Sequence, residues 1–597
     1  MKRSSKVCAA LFVLALALPS AAEADRTVFV TGSQNQNTGL AAFSAAGGPL
    51  VPLAGTPVAT GATTNGVLVS PDARTVYVTN VGDDTVGAYS IGATGVPTKI
   101  ADATAGNQPT GMAMSPDGAF LLAGNRDGDT GGTISVFSVA ANGALTPVGL
   151  PVNPGVFGPR GIVFTPDGKF VYAMGRRGPQ GGGAGSSDTA IATLTLSDSG
   201  ALVPVAGSPM FINGQVAGFG LTISPDGKHL YAPHAQNPGR IYGFDINATS
   251  GALSGISGSP FAATLNSAPL DSSVTPDGQA LYVAESFGQS VEGFNINQAN
   301  GALTQIPGTP VTVAGQSDAL AITADGNSLY QSILSNPGQV EGFAINRTSG
   351  GLTRYTGSPY ASGTTFPSFF SVAITPTQTP VPSFTAPATA KSGQAVAFNA
   401  SGTTVRGGEA TKFSWEFGDG ATAPDGGSTL SHTYAADGTY TVKLTVRNDC
   451  DPDAVFTGTV ATIGNAVYCN GSPTASTTRQ VVVDSVVDGS VKAKKKQKQK
   501  GKKVKLQVKV VAGEQLTAAL KGKVKFGKAS AKLKPKSVAV AAGATKKLKL
   551  KPKKKASSKK IFKALDAGKK PKAKLKSTLT DALGNTAKAK LKVTLKG

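Results

Sequence analysis

The sequence has few of the residues on which most metal sites and many catalytic sites depend. Its 597 residues include three histidines, three cysteines and one tryptophan. Cys8 lies in an apolar N-terminal segment, which leaves Cys450 and Cys469. With His432 as the only nearby histidine, these are too few ligands for a four-coordinate zinc site. The sequence predicts no metal and no cofactor, and favours a disulfide between Cys450 and Cys469 if the chain is exported.

Long apolar runs are also missing, apart from one short segment near the start. The run from Val7 to Leu18 follows a positively charged start and precedes a small-residue cleavage site, Ala22-Glu23-Ala24. This pattern predicts a signal peptide at residues 1–24 and a secreted or extracellular protein. A membrane anchor is the alternative, but a span needs about 20 apolar residues. We therefore expect no transmembrane segment after signal removal.

Acidic residues are nearly missing from the last part of the chain. Residues 491–597 contain 36 lysines, no arginine and three acidic residues, which gives a formal charge of +33. The preceding 490 residues hold 21 basic and 31 acidic groups, a charge of −10. This asymmetry concerns binding partners rather than fold.

Glycine and proline are abundant, at 75 and 37 residues, and they punctuate an internal repeat. A Ser/Thr-Pro-Asp-Gly type of turn recurs every 45 to 60 residues, beginning at Ser70, Ser115, Thr165, Ser224, Thr275 and Thr323. Each turn leads into a β-rich run with alternating apolar residues, such as Thr75–Asn80. This period is that of a four-stranded propeller blade.

The two ends of the repeat region do not form complete units. The chain starts with a second-strand unit at Arg26–Val30, and the region ends with a first-strand unit at Phe369–Ile374. We expect these ends to share one blade, so that residues 25–376 form a closed ring of seven blades. Closure of this kind removes free sheet edges.

These repeats resemble the lactonase-type, Tyr-Val-Thr-Asn family of seven-bladed β-propellers. Residues 77–80 spell that tetrapeptide. Some members of the family open or close lactones, so the resemblance implies either a lactonase-like hydrolase or a binding propeller, because propellers carry many functions.

Lactone hydrolysis needs a base to activate water and cations to hold the developing oxyanion. Polar residues at strand ends and in the loops that follow could line the face or channel of the propeller. They are Arg126, Arg160, Arg176, Arg177, His234 and Glu285. These weak candidates predict a polar pocket for an anionic ligand, and solvated loop charges are the alternative interpretation. His229, at a strand start, is predicted to be structural.

A second resemblance follows a Thr/Pro segment at residues 377–380, which reads as a stiff linker. Residues 381–485 contain Trp415-Glu416-Phe417-Gly418-Asp419-Gly420, followed by His-x-Tyr and Gly-x-Tyr-x-Val-x-Leu segments. This combination resembles a PKD domain, an Ig-like β-sandwich. The resemblance implies a spacer, or a module that contacts extracellular proteins or carbohydrates. Phe413, Trp415 and Phe417 are expected to face its core.

The lysine-rich end has two predicted parts. Residues 486–503 are predicted to be a Lys-rich linker, in which residues 492–503, nearly all Lys, Gln and Gly, are disordered. In residues 504–597 lysine alternates with apolar residues, which predicts a basic β-sandwich with lysine outward, and a short helical turn near Ile561–Leu565. The fold class is therefore all-β: a seven-bladed propeller, a PKD sandwich and a Lys-rich sandwich.

The sequence leaves two functions open. The first is an exported binding or adhesion protein, in which the propeller binds an extracellular protein or carbohydrate and the basic end binds an anionic cell-envelope polymer. The second is a secreted lactonase-like hydrolase. The basic end could also be a solubilising surface without a partner. Nucleic acid is an unlikely partner, because arginine and exposed aromatic residues are lacking there.

Overall fold

The computed structural model describes residues 26–32, 39–46, 48–127, 131–177, 188–212, 219–264, 267–367, 369–450, 462–463, 466–467, 469–501 and 503–597. The predicted signal peptide lies outside these residues. Contacts divide the chain into two compact units. The first contains Met1–Ser383, Ala400–Ser414 and Leu444–Thr477, and the second contains Phe384–Asn399, Trp415–Lys443 and Thr478–Gly597.

Seven antiparallel sheets, counted over the described residues, form the propeller. The strands of the first three are β1 (Thr27–Thr31), β2 (Gly39–Ser44), β3 (Val51–Pro52), β4 (Val58–Ala59); β5 (Thr64–Val69), β6 (Thr75–Asn80), β7 (Thr85–Ile91), β8 (Pro97–Thr104); and β9 (Pro109–Met114), β10 (Phe120–Asn125), β11 (Thr133–Val139), β12 (Leu145–Pro147).

The remaining four sheets repeat this arrangement. Their strands are β13 (Phe157–Phe164), β14 (Val171–Arg176), β15 (Thr189–Leu196), β16 (Leu202–Pro204), β17 (Met210–Ile212); β18 (Thr222–Ile223), β19 (His229–His234), β20 (Arg240–Ile246), β21 (Leu253–Gly255), β22 (Phe261–Ala262); β23 (Pro269–Val274), β24 (Ala280–Glu285), β25 (Ser290–Ile296), β26 (Leu303–Gln305), β27 (Val311–Thr312); and β28 (Leu320–Ile322), β29 (Ser328–Ile333), β30 (Gln339–Ile345), β31 (Leu352–Arg354), β32 (Tyr360–Ala361).

The ring closes as the sequence predicts. A last strand, β33 (Val372–Ile374), pairs antiparallel with β1, so that Val28 lies opposite Ile374 and Val30 opposite Val372. The strand is shorter than expected, because Phe369 and Phe370 lie in the turn that precedes it. Both ends of the propeller therefore belong to one blade, and closure leaves no free edge between them.

The repeated turn works through its side chains. In the first example the Ser70 hydroxyl donates to Asp72 Oδ1 at 2.6 Å and accepts the Thr75 backbone N–H at 2.9 Å. Asp72 Oδ1 also accepts the Arg74 N–H at 3.0 Å. The same set recurs at all six turns, with Thr in place of Ser in three of them. Ser/Thr and Asp are thus required two residues apart, because they satisfy backbone donors in each turn.

Buried tyrosines of the second strands link neighbouring sheets. The hydroxyl of Tyr77 donates to the Gly143 carbonyl at 3.0 Å, and that of Tyr231 to the Gly301 carbonyl at 2.8 Å. Tyr172 and Tyr282 make equivalent bonds. The hydroxyl of Tyr330, in the last complete sheet, donates to the Gly48 carbonyl in the first. This bond supports ring closure at a second point.

Parts of the PKD region belong to the first unit. The hairpin of β40 (Thr462–Ile463) and β41 (Ala466–Val467) extends the sheet of β28, with Ile322 opposite Ala466. The expected disulfide between Cys450 and Cys469 is present and closes this loop. Arg26 is buried and contacts Asp325 at 2.9 Å and Asp449 at 2.5 Å.

Residues 377–380 are held in place and do not form a free linker. The Gln378 side chain donates to the Pro71 carbonyl at 2.9 Å and accepts from Asn470 at 2.7 Å. Its carbonyl accepts from Asn448 at 2.9 Å. The hydrogen bonds of this one glutamine fix the segment, which is predicted to be a stiff linker, within the first unit.

Other PKD strands are β34 (Thr389–Ala390), β35 (Ala395–Asn399), β36 (Ala410–Glu416), β37 (Thr422–Ala423), β38 (Thr429–Thr433), β39 (Gly438–Asn448) and β42 (Thr474–Val483). In the second unit, the Trp415 ring packs against Phe384 and Phe398 at 5.2 and 5.7 Å between ring centroids. Trp415 and Phe417 are buried as predicted, whereas Phe413 is half-buried. Asp419 and Gly420 lie in the hairpin turn between β36 and β37.

The C-terminal domain also lies in the second unit. Its elements are β43 (Gly489–Lys492), β44 (Lys496–Lys498), β45 (Leu506–Ala512), β46 (Leu516–Phe526), β47 (Ala529–Lys532), β48 (Lys536–Val540), β49 (Thr545–Leu550), α1 (Lys555–Asp566), β50 (Lys572–Asp581) and β51 (Thr586–Lys596). They form two sheets, ordered β43-β45-β49 and β44-β51-β50-β46-β47, with β48 beside β46. Valine and leucine side chains fill the core between them, with Ile561 of α1.

Two predictions for this region need correction. Residues 486–503 are not a disordered linker, because they contain β43 and β44. The inward positions of β44 and the segment after it are the buried glutamines Gln497 and Gln499, which carry no hydrophobic signal. The helical turn expected near Ile561–Leu565 is a helix of 12 residues, Lys555–Asp566.

Candidate functional site

The innermost strands of the propeller approach each other so closely that three of them need glycine. A Cβ added to Gly111 would lie 1.7 Å from the Arg160 carbonyl oxygen, and one on Gly161 would lie 2.4 Å from the Phe219 carbonyl oxygen. Gly66 has the same relation to Thr110, at 2.4 Å. Backbone therefore meets backbone around the axis, which narrows the central channel.

A small cavity remains at this axis, bordered by six of the seven sheets. Its lining includes Arg160, Asp271 and Phe370, and its volume is about 20 Å³. The Arg160 guanidinium lies 4.3 Å from the centroid of the Phe219 ring, which packs 4.4 Å from the ring of Phe369. A cavity of this size holds about one water. Small-molecule sites typically need about 300 Å³ or more, so the channel does not admit a lactone in this conformation.

Asp271 is the acidic group of this cavity. It is 1% exposed, and its Oδ2 accepts the Leu320 N–H at 3.2 Å. Burial, with a smaller contribution from the carboxylate of Asp318, raises the pKa of Asp271 to about 8. Two backbone hydrogen bonds oppose this shift. The carboxyl is therefore mostly protonated at neutral pH, and beside Arg160 it forms a polar spot in an otherwise apolar channel.

His234 does not reach the cavity. It is fully buried, with Nε2 at 3.0 Å from the Thr189 hydroxyl in the preceding blade and Nδ1 at 3.1 Å from the Ala232 carbonyl. A carbonyl only accepts, so Nδ1 carries the proton and Nε2 accepts from Thr189. Burial lowers the pKa of His234 to about 4. The imidazole therefore joins two blades and is a poor general base, and its role as a site residue stays a prediction.

Glu285 is also structural. It is fully buried in the sixth sheet, and its Oε2 accepts from the Ser290 hydroxyl at 3.1 Å. Burial and the neighbouring Glu292 raise its pKa strongly, so the acid is protonated. Glu292 in turn accepts from Thr264 and Gln305 at 2.6 to 3.0 Å. This acid pair connects β24 and β25 and does not line the channel.

Of the predicted arginines in the described residues, one lines the cavity at the axis. Arg160 lines the channel, whereas Arg126 is half-buried in the loop after β10 and Arg176 is exposed at the end of β14. Arg177 contacts Asp188 at 3.3 Å and lies over the Phe211 ring at 4.6 Å. His229 contacts Asp245 at 2.9 Å, in the structural role that was predicted.

The channel residue that sequence reasoning missed is Asp271, and a signal for it exists. Gly66, Gly111, Gly161 and Gly220 each stand four positions before the Ser/Thr of their turn. Asp271 occupies that position before Thr275, in the fifth of the six repeats. A charged residue that replaces a recurrent glycine at the axis predicts a special environment.

A larger cavity of the first unit lies at the turns of the second and third sheets. Its volume is about 500 Å³, and its lining includes Asp72, Tyr77, Pro116, Asp117 and Asn470. None of the predicted site residues borders it. It is large enough for a small ligand and has a mixed polar and apolar lining.

The second candidate site is the lysine surface of the C-terminal domain. In β50, Lys572, Lys574 and Lys576 are exposed, while the alternating Ala573 and Leu575 are buried. Lysine therefore covers the outer faces, as the period-two pattern predicts. Among the described residues of this domain no lysine forms an ion pair.

Comparison with known proteins agrees with this architecture. Residues 21–154 match the family model "Lactonase, 7-bladed beta-propeller", and residues 377–462 match the PKD domain. The first domain is a lactonase-type propeller. The lactonase-type propeller and the PKD domain were both predicted from their motifs, and both are confirmed. No curated protein matches the chain.

Two solved structures align with about three fifths of this chain. A protein from Bacteroides fragilis described as a candidate 6-phosphogluconolactonase is 19% identical, covers 60% of this chain and 99% of its own, and has a TM-score of 0.49. A periplasmic gluconolactonase of Pseudomonas aeruginosa is 18% identical, with 59% and 99% coverage and a TM-score of 0.47.

Two further findings concern membrane-spanning helices and metal ligands. In the part of the chain that the structure describes, no helix is long and apolar enough to cross a membrane. In the same residues no three histidine, cysteine or acidic side chains come together as metal ligands would.

Proposed function

We propose that the protein is an exported adhesion protein whose C-terminal domain binds an anionic polymer of the cell envelope. The observation that carries this proposal is the lysine surface of that domain, which has 36 lysines and three acidic residues in 107 positions. Lysines without acidic partners repel one another, and a polyanion relieves that repulsion. The PKD domain then acts as a spacer or contact module.

Export is part of the proposal. The positively charged start, the apolar run and the cleavage site of residues 1–24 are typical of a signal peptide. A disulfide in the body of the chain is consistent with an oxidising compartment. The lactonase-type propeller supplies the ligand face, and the 500 Å³ cavity at its turns is the candidate pocket for a protein or carbohydrate group.

The proposal is tested with purified full-length protein on isolated bacterial cell walls, washed with increasing salt. One variant carries Lys496→Gln, Lys498→Gln and Lys509→Gln in the C-terminal domain. A matched variant removes the same charge from exposed propeller lysines, at Lys99, Lys169 and Lys228.

We expect the first variant to elute at lower salt and the second to elute with the unchanged protein, because each removes three cations but only the first touches the binding surface. Elution of both variants together would contradict adhesion through this domain. Loss of retention in the propeller variant alone would assign adhesion to the propeller.

The alternative is a lactonase-like hydrolase that acts in the channel. Arg160 beside the protonated Asp271 favours it, since a cation and an acid could stabilise and protonate an opening lactone. The 20 Å³ cavity opposes it, because the channel would have to open first. A panel of lactones tested with the unchanged protein and with Arg160→Gln decides: turnover that this substitution abolishes would establish the hydrolase.

A further inference from the structure

The lysine surface of the C-terminal domain contains a concave region, a groove of about 650 Å³. Both sheets of the domain contribute to its walls. Seven lysines border it, and no acidic, arginine or aromatic side chain does: Lys492, Lys494, Lys496, Lys498, Lys505, Lys509 and Lys547. The groove is thus positively charged and open to solvent.

Strand register brings lysines of the first sheet side by side. Lys492 of β43 lies opposite Lys509 of β45, and Lys509 lies opposite Lys547 of β49. Neighbouring strands are about 4.8 Å apart, so three ammonium groups form a row across the sheet. Like charges directly opposite each other are destabilising. The row is therefore destabilising in the free protein, and a bound anion would relieve the repulsion.

Two buried glutamines hold the other wall in place. The Gln497 side chain donates to the Gln507 carbonyl at 2.7 Å and accepts the Gln507 N–H at 2.8 Å, so it pairs with that residue like a strand backbone. Gln499 accepts the Lys505 N–H at 2.9 Å. With both amides turned inward, the alternating Lys496 and Lys498 are exposed. The second row of lysines is thus fixed relative to the first.

The chemistry of the lining selects among polyanions. Lysine is a compact point charge that binds phosphate well without the bidentate geometry by which arginine pairs with carboxylate and phosphate alike. Without aromatic side chains the groove offers no platform for stacked bases. The Gln497 amide is already paired with Gln507 and is not available to read sugar hydroxyls.

We propose that this groove is the binding site for a linear phosphodiester polymer without bases, such as poly(glycerol phosphate). The inference rests on the proposed function, because it names the polymer class and the place in the domain where adhesion occurs. Up to seven phosphates would contact the seven lysines, and the remaining lysines would contribute only a general attraction.

The first test measures binding of the full chain to poly(glycerol phosphate) and to alginate, a carboxylate polymer, between 50 and 300 mM salt. If all seven lysines contact phosphate, the logarithm of the binding constant should fall with the logarithm of salt concentration with a slope of about −5. We expect alginate to bind at least tenfold more weakly at 100 mM salt. Equal affinity for alginate would contradict the selectivity for phosphate.

The second test compares two triple variants of equal charge. The groove variant is Lys496→Gln, Lys498→Gln and Lys509→Gln, and the flat-face control is Lys572→Gln, Lys574→Gln and Lys576→Gln. We expect the groove variant to bind poly(glycerol phosphate) at least tenfold more weakly and to lose about 2 from the salt slope. We expect the control to change affinity less than threefold.

A third variant, Gln497→Leu, leaves the net charge unchanged. It removes the paired hydrogen bonds to Gln507, so the second row of lysines loses its fixed position. We expect this variant to bind the polymer at least threefold more weakly. Circular dichroism verifies the fold of this variant and of both triple variants. Unchanged affinity would show that charge alone, without groove geometry, accounts for binding.

The outcomes separate this inference from the proposed function. Equal loss in both triple variants would overturn the groove but leave adhesion through a diffuse lysine surface. Binding to neither cell walls nor polymer would overturn both. Tighter binding of single-stranded DNA than of poly(glycerol phosphate), at equal phosphate count, would make the groove a nucleic-acid site and refute the phosphodiester assignment.

Discussion

Replacement of Gly111 by alanine tests the close packing of the propeller axis. The added methyl carbon would lie 1.7 Å from the Arg160 carbonyl oxygen, whereas such atoms normally stay about 3.4 Å apart. The contact atom belongs to backbone in a neighbouring strand, so it cannot turn away as a flexible side chain would. The inner strand β13 has to move by more than 1 Å, or β9 does. Overpacking of this kind costs about 1–3 kcal/mol and occasionally more, and we expect the upper end of that range or above.

The assay is thermal and urea unfolding of the purified full-length protein, followed by circular dichroism. The matched control is Gly255→Ala in β21, where a Cβ meets no atom within 4 Å. We expect the control to change stability by less than about 0.5 kcal/mol, as a typical surface substitution does. If Gly111→Ala is as stable as the control, the backbone approach at the axis, and with it the narrow channel, is incorrect.

Three further predictions concern buried groups. The pKa of Asp271 is about 8 in the folded state and about 3.9 in a free aspartate, so between these pH values the folded state binds more protons than the unfolded state, and the free energy of unfolding should fall as pH rises from 5 to 8. Urea unfolding at several pH values should show a flatter pH dependence for Asp271→Asn, and an unchanged dependence would contradict the raised pKa. His234→Leu should lower stability by about 1–2 kcal/mol through the lost bond to Thr189 and leave any ligand affinity of the propeller unchanged; reduced affinity at equal fold would return His234 to the site. The double variant Cys450→Ser, Cys469→Ser should have a free energy of unfolding about 3 kcal/mol lower, because the disulfide no longer closes a loop of this length. A reducing agent should lower the stability of the unchanged protein but not that of the variant.

The propeller was readable from the sequence because its signals repeat. Turns beginning at Ser70, Ser115 and their counterparts mark each blade, and the incomplete units at the two ends predict a shared blade. Because the same pattern recurs in every blade, each repeat is separate evidence for the propeller fold. One ambiguous strand therefore does not change the predicted fold. The PKD domain was readable for a different reason, since the aromatic block around Trp415 is specific.

The channel was harder to predict. Strand ends and the loops after them are where the sequence predicts functional side chains, such as His234 and Glu285. Those positions face the neighbouring strands within the blades, whereas the residues before each turn reach the axis. Burial then turns His234 and Glu285 into neutral structural groups. A column of aligned repeats would have placed Gly111 and Asp271 at the same position.

The segment at residues 486–503 was misread because hydrophobic periodicity was the only strand signal considered. Its inward side chains at Gln497 and Gln499 pair with backbone groups, and their outward neighbours are lysines. Such a strand is stabilised by side-chain amides in place of apolar contacts, and its composition looks like that of a disordered chain.

The closure of the ring by its two ends has a consequence for the order of synthesis. The edge of β1, near residue 31, finds its partner only when β33, near residue 372, has been made. At about 5–20 residues per second, roughly 20–70 s separate these events on the ribosome. During that interval the first blade exposes an unpaired edge to other nascent chains. Premature termination before residue 372 would make that exposure permanent, so truncated products should aggregate or be degraded.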